Sequence, residues 1–205
     1  MKGPLLLSIV FALAVPLAAV WAAAPAAVQV QVVDERGLPV RDAVVELIPN
    51  VGWRGGAIRF AWKPAMAQKN VAFVPGTLIV ARGSSVAFPN LDSVRHSVYS
   101  FSKAARFEID LYGRDQSRSQ SFPIAGTVAL GCNIHDQMRG YIRVVATPFA
   151  AKTDQNGIVR LSGMAAGGHQ LTVWHPRARA PGGELKRALA VGAGSSSQKI
   201  TLQLR

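Results

Sequence analysis

Short runs of alternating apolar and polar residues dominate the chain after about residue 25. Valines and glutamines alternate over residues 28–33, a period of two that is typical of a half-buried β-strand. A charged turn at 34–37 and a second apolar run at 40–48 follow. This pattern predicts an N-terminal β-hairpin. The stretch 50–68 has no clear period and is predicted to be mainly loop.

The same pattern recurs along the rest of the chain, with glycine, proline and asparagine between the apolar runs. Predicted strands lie at 71–75, 77–80, 85–88, 97–101, 119–123, 126–132, 140–145, 158–161, 165–174 and 198–204. Many short strands at this spacing predict an all-β fold built as a β-sandwich or barrel.

The first residues have a different pattern. Lys2 precedes an apolar run over 5–20, and small residues follow up to Ala24. This order is typical of a signal peptide over residues 1–24, with cleavage expected after Ala22 or Ala24. An uncleaved membrane anchor is the alternative, but the run is short for a span of about 20 residues. We therefore expect a periplasmic protein with no stable membrane insertion after cleavage.

The chain is strongly basic, with a formal net charge of +12. Such a charge favours association with an acidic partner protein or an anionic surface. Nucleic acid is not an expected partner, because the export signal argues against it and no basic run is interleaved with aromatic residues. Arg95, Arg139 and Arg143 lie near the candidate ligands described next, and we expect them to form a basic rim.

The chain has a single cysteine, Cys132. In an oxidising compartment a lone thiol is intermolecular, reactive or bound to something. His135 and Met138 follow it in a Cys-x-x-His-x-x-Met pattern, and His96 lies upstream. Each of these residues alone would be unremarkable in a core or on a surface. Together, two imidazoles, a thiolate and a thioether are the ligand set of a mononuclear type 1 copper site. Zinc would leave Met138 unexplained.

The segment 67–147 resembles the cupredoxin family. The resemblance covers the stretches 71–80, 83–92 and 122–132 together with His96 and a short, amicyanin-like ligand loop. It implies a Greek-key β-sandwich that holds one copper ion and carries single electrons between partners such as a cytochrome or dehydrogenase. It implies no enzymatic activity, and it implies that electrons pass through an exposed edge of His135. The sequence departs from the family at Ser97, where asparagine is common, and at Asn133.

The flanking segments resemble a transthyretin-like β-sandwich of the kind found in carboxypeptidase regulatory domains. The resemblance rests on residues 32–47, 153–161 and 166–173. It implies that 25–66 and 148–205 form one discontinuous domain, into which the cupredoxin domain is inserted. A single cupredoxin with extra strands is the alternative. The combination resembles bacterial plastocyanin-like proteins labelled for methylamine utilisation, a label that fixes no reaction.

Two alternative functions stay open from the sequence. One is a copper chaperone or store, although the chain lacks a methionine- or histidine-rich tract. The other is a structural or interaction module that keeps the copper fold. His169 is predicted to be structural, and His175 is assigned no role. A dry shell around the ligands is expected from Phe88, Val98, Phe101 and Ile134.

Overall fold

The computed structural model describes residues 26–205, and the predicted signal peptide at 1–24 lies outside the described residues. Residues 26–49 form β1 (Ala26–Val33) and β2 (Val44–Pro49). Residues 67–145 form β3 (Ala67–Gln68), β4 (Phe73–Val74), β5 (Thr77–Ala81), β6 (Ser84–Pro89), β7 (His96–Ser102), β8 (Ala105–Tyr112), β9 (Ser117–Phe122), β10 (Gly126–Gly131) and β11 (Arg139–Val145). Residues 150–201 form β12 (Ala150–Lys152), β13 (Ile158–Met164), β14 (Gly167–Trp174), β15 (Glu184–Val191) and β16 (Ser195–Thr201).

The all-β prediction is confirmed. A single turn of 3₁₀-helix, Pro181–Gly183, is the only helical element in the described part of the chain. Within residues 26–205 no helix has the length and apolar character needed to cross a membrane.

Strands from the two ends of the chain pair with each other in two sheets. One sheet has the order β13-β1-β16, in which β1 is antiparallel to β13 and parallel to β16. The other has the order β12-β2-β14-β15 and is antiparallel throughout. Their inner faces share one core, in which Val30 of β1 packs with Leu47 of β2 and Leu171 of β14.

The predicted N-terminal hairpin is wrong. β1 and β2 belong to different sheets, and only an isolated bridge, Val33 to Pro39, joins their connection. Both strands carry apolar side chains that are fully buried, and each strand faces the other across the core. Two strands that alternate in the same way can pair edge to edge or pack face to face, and the local sequence pattern does not distinguish the two arrangements.

Strands of residues 67–145 form the remaining sheets. The largest has the order β5-β11-β10-β7-β8, with β5 parallel to β11 and the other pairs antiparallel. β6 pairs with β9, and β3 lies beside β6 through a Gln68–Asn90 bridge. A second core fills the space between them and includes Phe88, Phe122 and Ile142. The end of this core holds Cys132 and Met138.

A third, smaller apolar cluster joins the two sets of sheets, and we call it the junction. Ile79 and Val145 from the middle segment pack there against Val44, Ala150 and Trp174 from the outer segments. The Tyr141 and Trp174 rings meet edge to face, with 5.3 Å between their centroids.

Arg143 does not form part of a basic rim, contrary to prediction. It is buried at the junction with 3% of its surface exposed. Its guanidinium bonds Glu184 at 2.6 Å, lies 3.6 Å from the Glu46 carboxylate, and sits 5.6 Å from the centre of the Trp174 ring. It also donates to the Thr127 hydroxyl. A buried guanidinium needs such partners, because burying an unpaired charge costs several kcal/mol.

The pKa values of the two carboxylates beside Arg143 are shifted in opposite directions. Burial raises the pKa of Glu46 even though Arg143 acts to lower it. Burial also acts to raise the pKa of Glu184, but hydrogen bonds from Arg143 and Lys186 outweigh it and lower that pKa. Glu184 is the more exposed of the two and has two cationic partners, so Glu46 is the carboxylate that depends on Arg143.

Candidate metal centre

The four candidate ligands lie at one end of the five-stranded sheet. His96 is the first residue of β7, and Cys132 directly follows β10. His135 and Met138 lie in the loop between β10 and β11, and a bond of 2.9 Å from the Met138 N–H to the His135 carbonyl closes that loop. β7 and β10 are neighbours, paired at Tyr99 and Gly131, so the strand ends bring His96 beside Cys132.

Three of the four donor groups converge. The Cys132 sulfur lies 3.9 Å from Nδ1 of His96 and 3.7 Å from Nδ1 of His135. The ligand atoms of the three residues all lie within 4.8 Å of one another. Both imidazoles therefore turn the same nitrogen toward the sulfur.

These separations fit a metal ion at the centre of the three atoms. Metal bonds of about 2.3 Å to sulfur and about 2.0–2.1 Å to imidazole nitrogen, set about 120° apart, place sulfur and nitrogen about 3.7–3.8 Å from each other. The distances of 3.7 and 3.9 Å agree with that value. The donor set of one thiolate and two imidazoles, with a thioether on the same loop, matches the trigonal sites that copper prefers.

The donor groups differ in exposure. His96 is fully buried, and Cys132 is 3% exposed with no disulfide partner. His135 is partly exposed, which agrees with the expectation that its ring edge faces outward. Met138 is 1% exposed and packs in the same core as Cys132, and its role as an axial ligand stays a prediction.

Asp92 fixes the orientation of His96, a role that the sequence did not reveal. Its carboxylate Oδ2 lies 2.8 Å from Nε2 of His96. A carboxylate accepts a hydrogen bond there, so Nε2 carries the proton and Nδ1 is free to coordinate a metal. A carboxylate that accepts a hydrogen bond from the second ring nitrogen of a metal-binding imidazole orients the ring and raises its basicity.

Asp92 also holds a strained turn. It accepts bonds from the backbone N–H groups of Asn70 at 2.6 Å and Val71 at 2.9 Å, at the tip of the β3–β4 hairpin. Both residues have positive φ, and that conformation is rare for a β-branched residue such as valine. Burial acts to raise the pKa of Asp92, but the bonds from Val71, His96 and Asn70 together lower it. The carboxylate is therefore held in its ionised form.

Ser97 connects the two ligand loops. Its hydroxyl accepts a bond of 2.9 Å from the Asn133 N–H and lies 3.7 Å from the Cys132 sulfur, to which it donates. The Asn133 side chain in turn donates to Glu108 on β8 at 2.7 Å. The shorter serine thus links the loops that asparagine often links in cupredoxins, and it adds a weak bond to the sulfur.

The predicted dry shell is only half right. Phe88 and Val98 are fully buried in the core that contains Cys132. Phe101 is 70% exposed and Ile134 is 51% exposed, so neither shields the site. Phe101 lies on the outward face of β7, because successive side chains of a strand point to opposite faces and Ser100 is buried.

No family model matches the sequence, and no curated protein matches it. Solved structures with a similar fold include an amicyanin variant in its copper(I) form, at 23% identity over 40% of this chain and 80% of the other, with a TM-score of 0.38. A reduced amicyanin variant matches at 22% identity over 51% of this chain and 99% of the other, with a TM-score of 0.38. A purple cupredoxin from Nitrosopumilus maritimus matches at 18% identity over 40% of this chain and 98% of the other, with a TM-score of 0.36.

The chain is similar in fold to these cupredoxins. At this level of similarity, the neighbours say nothing about which metal or partner this chain binds.

The other two histidines do not join a metal cluster within residues 26–205. His169 lies near the start of β14, and His175 directly follows the end of that strand. His175 is six positions after His169 along extended backbone, which places the two residues about 20 Å apart. A second metal site built from this pair is therefore excluded.

Proposed function

We propose that this chain is a periplasmic type 1 copper protein that carries single electrons between redox partners. The observation that carries the proposal is the convergence of the Cys132 sulfur with Nδ1 of His96 and Nδ1 of His135. Met138, buried in the same core, is proposed as the weak axial ligand. Copper bound by this set supplies a one-electron couple.

The residues around the ligands support electron transfer because they hold the ligand side chains in fixed positions. Asp92 fixes the ring of His96, and Ser97 ties the two ligand loops together. Burial of His96 and Cys132 excludes water from the thiolate, which protects it from oxidation. A preorganised, dry site changes little between the two oxidation states, so the energy needed to reorganise it is small.

The surface near the ligands supports an electron path through His135. Of the two imidazoles, His135 is the one partly exposed, and the ligand loops carry exposed apolar side chains at Leu91, Val94 and Ile134. Arg95 and Arg139 are exposed basic residues close to the ligands in sequence. We propose an acidic cytochrome or dehydrogenase as the partner, drawn to the basic surface.

We also propose that the outer strands form a separate, transthyretin-like domain with the cupredoxin domain inserted into it. Strand pairing supports this organisation, because each sheet draws its strands either from residues 67–145 or from residues 26–49 and 150–201. Each set has its own core, and the junction cluster lies between the two.

Copper titration followed by protein-film voltammetry tests the proposal. A carrier should bind one copper ion per chain, show a reversible one-electron wave and keep its metal against a moderate chelator. Rapid loss of copper to the chelator would favour a chaperone or store instead. Failure to bind copper would favour a structural or interaction module, and it would refute the proposal.

A further inference from the structure

A groove of about 630 Å³ lies on the outer face of the five-stranded sheet and follows its central strand, β10. β10 places Val128 and Leu130 in the core, so Ala129 and Gly131 lie on the opposite face and form the floor of the groove. Neither floor residue has a side chain beyond Cβ. The groove exists because the strands on both sides of β10 carry much larger side chains.

The two walls of the groove are aromatic. Tyr99 and Phe101 of β7 form one wall, with 5.3 Å between their ring centroids. Tyr141 of β11 stands on the other side of the floor, in register with Ala129. Since neighbouring strands lie about 4.8 Å apart, the walls are about 10 Å from each other. Phe101 is 70% exposed even though Arg106 lies 5.9 Å from the centre of its ring, so aromatic surface is free for contact.

The groove also holds polar groups without protein partners in the described part of the chain. The hydroxyls of Tyr99 and Tyr141 bond no group within residues 26–205, and both are open to solvent. Asp136 and Arg139 are exposed at the end of the groove that meets the ligand loop. Neither forms an ion pair within the same residues. The groove therefore offers donors and acceptors together, and its two formal charges cancel.

This combination fits a neutral ligand that has both apolar C–H faces and many hydroxyl groups. A purely apolar ligand would cover the polar groups of the groove without bonding them, which is costly. A charged ligand would be repelled by either Asp136 or Arg139. The walls run over three to four residues of strand, about 10 Å, which is the length of about two sugar rings. The volume lies within the range of about 300–1,000 Å³ that is typical of ligand sites.

We propose that this groove binds a neutral oligosaccharide. The C–H faces of its sugar rings pack against Phe101 and Tyr99, and its hydroxyls bond Tyr141, Asp136 and Arg139. The site does not depend on which metal the neighbouring residues hold.

Cellotriose, maltotriose and chitotriose are the probes, because they present neutral sugar rings in different linkages. Toluene is the comparison ligand, since it has an aromatic ring and no hydrogen-bonding group. Dissociation constants would be measured by ligand-detected NMR on the full chain, under reducing conditions that keep any bound copper diamagnetic. At least one trisaccharide should bind in the millimolar range, and it should bind more tightly than toluene because it can pair the polar groups of the groove.

Phe101→Ala is the decisive variant, and the exposure of Phe101 means that the substitution leaves the core intact. It should weaken trisaccharide binding by about three- to tenfold, which is the value of one aromatic contact. Ile124→Ala is the matched control, since Ile124 is 56% exposed in the turn between β9 and β10 and does not line the groove. That variant should bind like the unmodified protein.

The proposal is overturned if none of the three trisaccharides binds at about 10 mM, or if toluene binds as tightly as the best of them. It is also overturned if Phe101→Ala and Ile124→Ala have the same effect. Sedimentation of the unmodified protein tests the rival occupant, a second copy of this chain. A dimer that Phe101→Ala dissociates would assign the groove to self-association instead of sugar binding.

Discussion

Replacing Arg143 by methionine should destabilise the protein strongly. The substitution keeps most of the apolar stem, which packs at the junction, and removes the guanidinium. The lost guanidinium lies 3.6 Å from the Glu46 carboxylate and 2.6 Å from the Glu184 carboxylate. It also lies 5.6 Å from the centre of the Trp174 ring. The variant therefore isolates the role of the cation.

The magnitude follows from what is left unpaired. Glu184 keeps Lys186 at 2.9 Å and is partly exposed, so it loses little. Glu46 is 5% exposed and loses the cation that offsets its burial. Breaking a buried ion pair on one side costs about 3–5 kcal/mol. Because only Glu46 loses its cationic partner, we expect a loss of stability at the lower end of this range, about 3 kcal/mol.

The loss should depend on pH with a sign fixed by Glu46. Burial raises its pKa above 4.5, and removing Arg143 raises it further because the opposing cation is gone. A group whose pKa is higher in the folded state favours folding below its unfolded pKa, and this advantage is lost as the pH rises through the folded pKa. The deficit of Arg143→Met should thus be small near pH 4.5 and grow toward neutral pH. Adding Glu46→Gln should recover at least about 1 kcal/mol at neutral pH.

Guanidinium chloride unfolding of the metal-free protein, followed by tryptophan fluorescence, measures these differences. Arg106→Met is the matched control, since Arg106 is exposed and lies 5.9 Å above the Phe101 ring. An exposed cation of this kind should change stability by less than about 1 kcal/mol. The reasoning fails if Arg143→Met is as mild as the control at neutral pH, or if its deficit is the same at both pH values.

Three further predictions concern the metal centre. Met138→Gln should retain copper and lower the reduction potential, because a harder axial oxygen favours the oxidised ion; voltammetry showing an unchanged or higher potential would count against Met138 as a ligand. Asp92→Asn should weaken copper affinity about 10–100-fold through the loss of its carboxylate beside His96, measured by competition with a chelator; unchanged affinity would remove Asp92 from that role. Reduction by an acidic redox protein should slow as salt rises, since exposed charges are screened over about 10 Å at 0.1 M ionic strength. Arg139→Glu should weaken that salt dependence in stopped-flow measurements, and equal rates with acidic and basic partners would deny the basic surface a role.

Local patterns predicted the fold class and most strands, because burial on one face leaves a period of two in the sequence. β8 is absent from the predicted strands, although Phe107 and Ile109 alternate with Glu108 and Asp110 in the period of a half-buried strand. β15 was missed as well. Its residues are mostly exposed or partly exposed, so its pattern is weak.

Pairing and burial by distant segments could not be predicted in the same way. On β11, Ile142 and Val144 face the core that holds Cys132, while Tyr141 and Val145 face the junction. Arg143 shares the second face, which a single strand would leave open to water. Arg143 is buried because β2 and β15 pack against this face of β11. No pattern within β11 itself predicts that packing.

In the candidate site, too, residues close together in the sequence could be predicted, whereas contacts that depend on the fold could not. Cys132, His135 and Met138 are close in sequence, so a loop between two strands brings them together, and their residue types indicate the metal. Asp92 lies in an irregular loop four residues before His96, and its bond to that ring depends on the loop conformation and on the β3–β4 hairpin. No spacing rule relates an aspartate to a histidine in such a loop.

The visible absorption spectrum of the copper(II)-loaded protein, compared with that of Cys132→Ser, tests the central claim most directly. Thiolate-to-copper charge transfer gives an intense visible band, and a serine hydroxyl is a harder group that does not ionise near neutral pH. We expect the unmodified protein to be strongly coloured and the variant to lose the band. A colourless copper(II) protein, or a variant that keeps the intense band, would contradict a type 1 site at His96, Cys132 and His135.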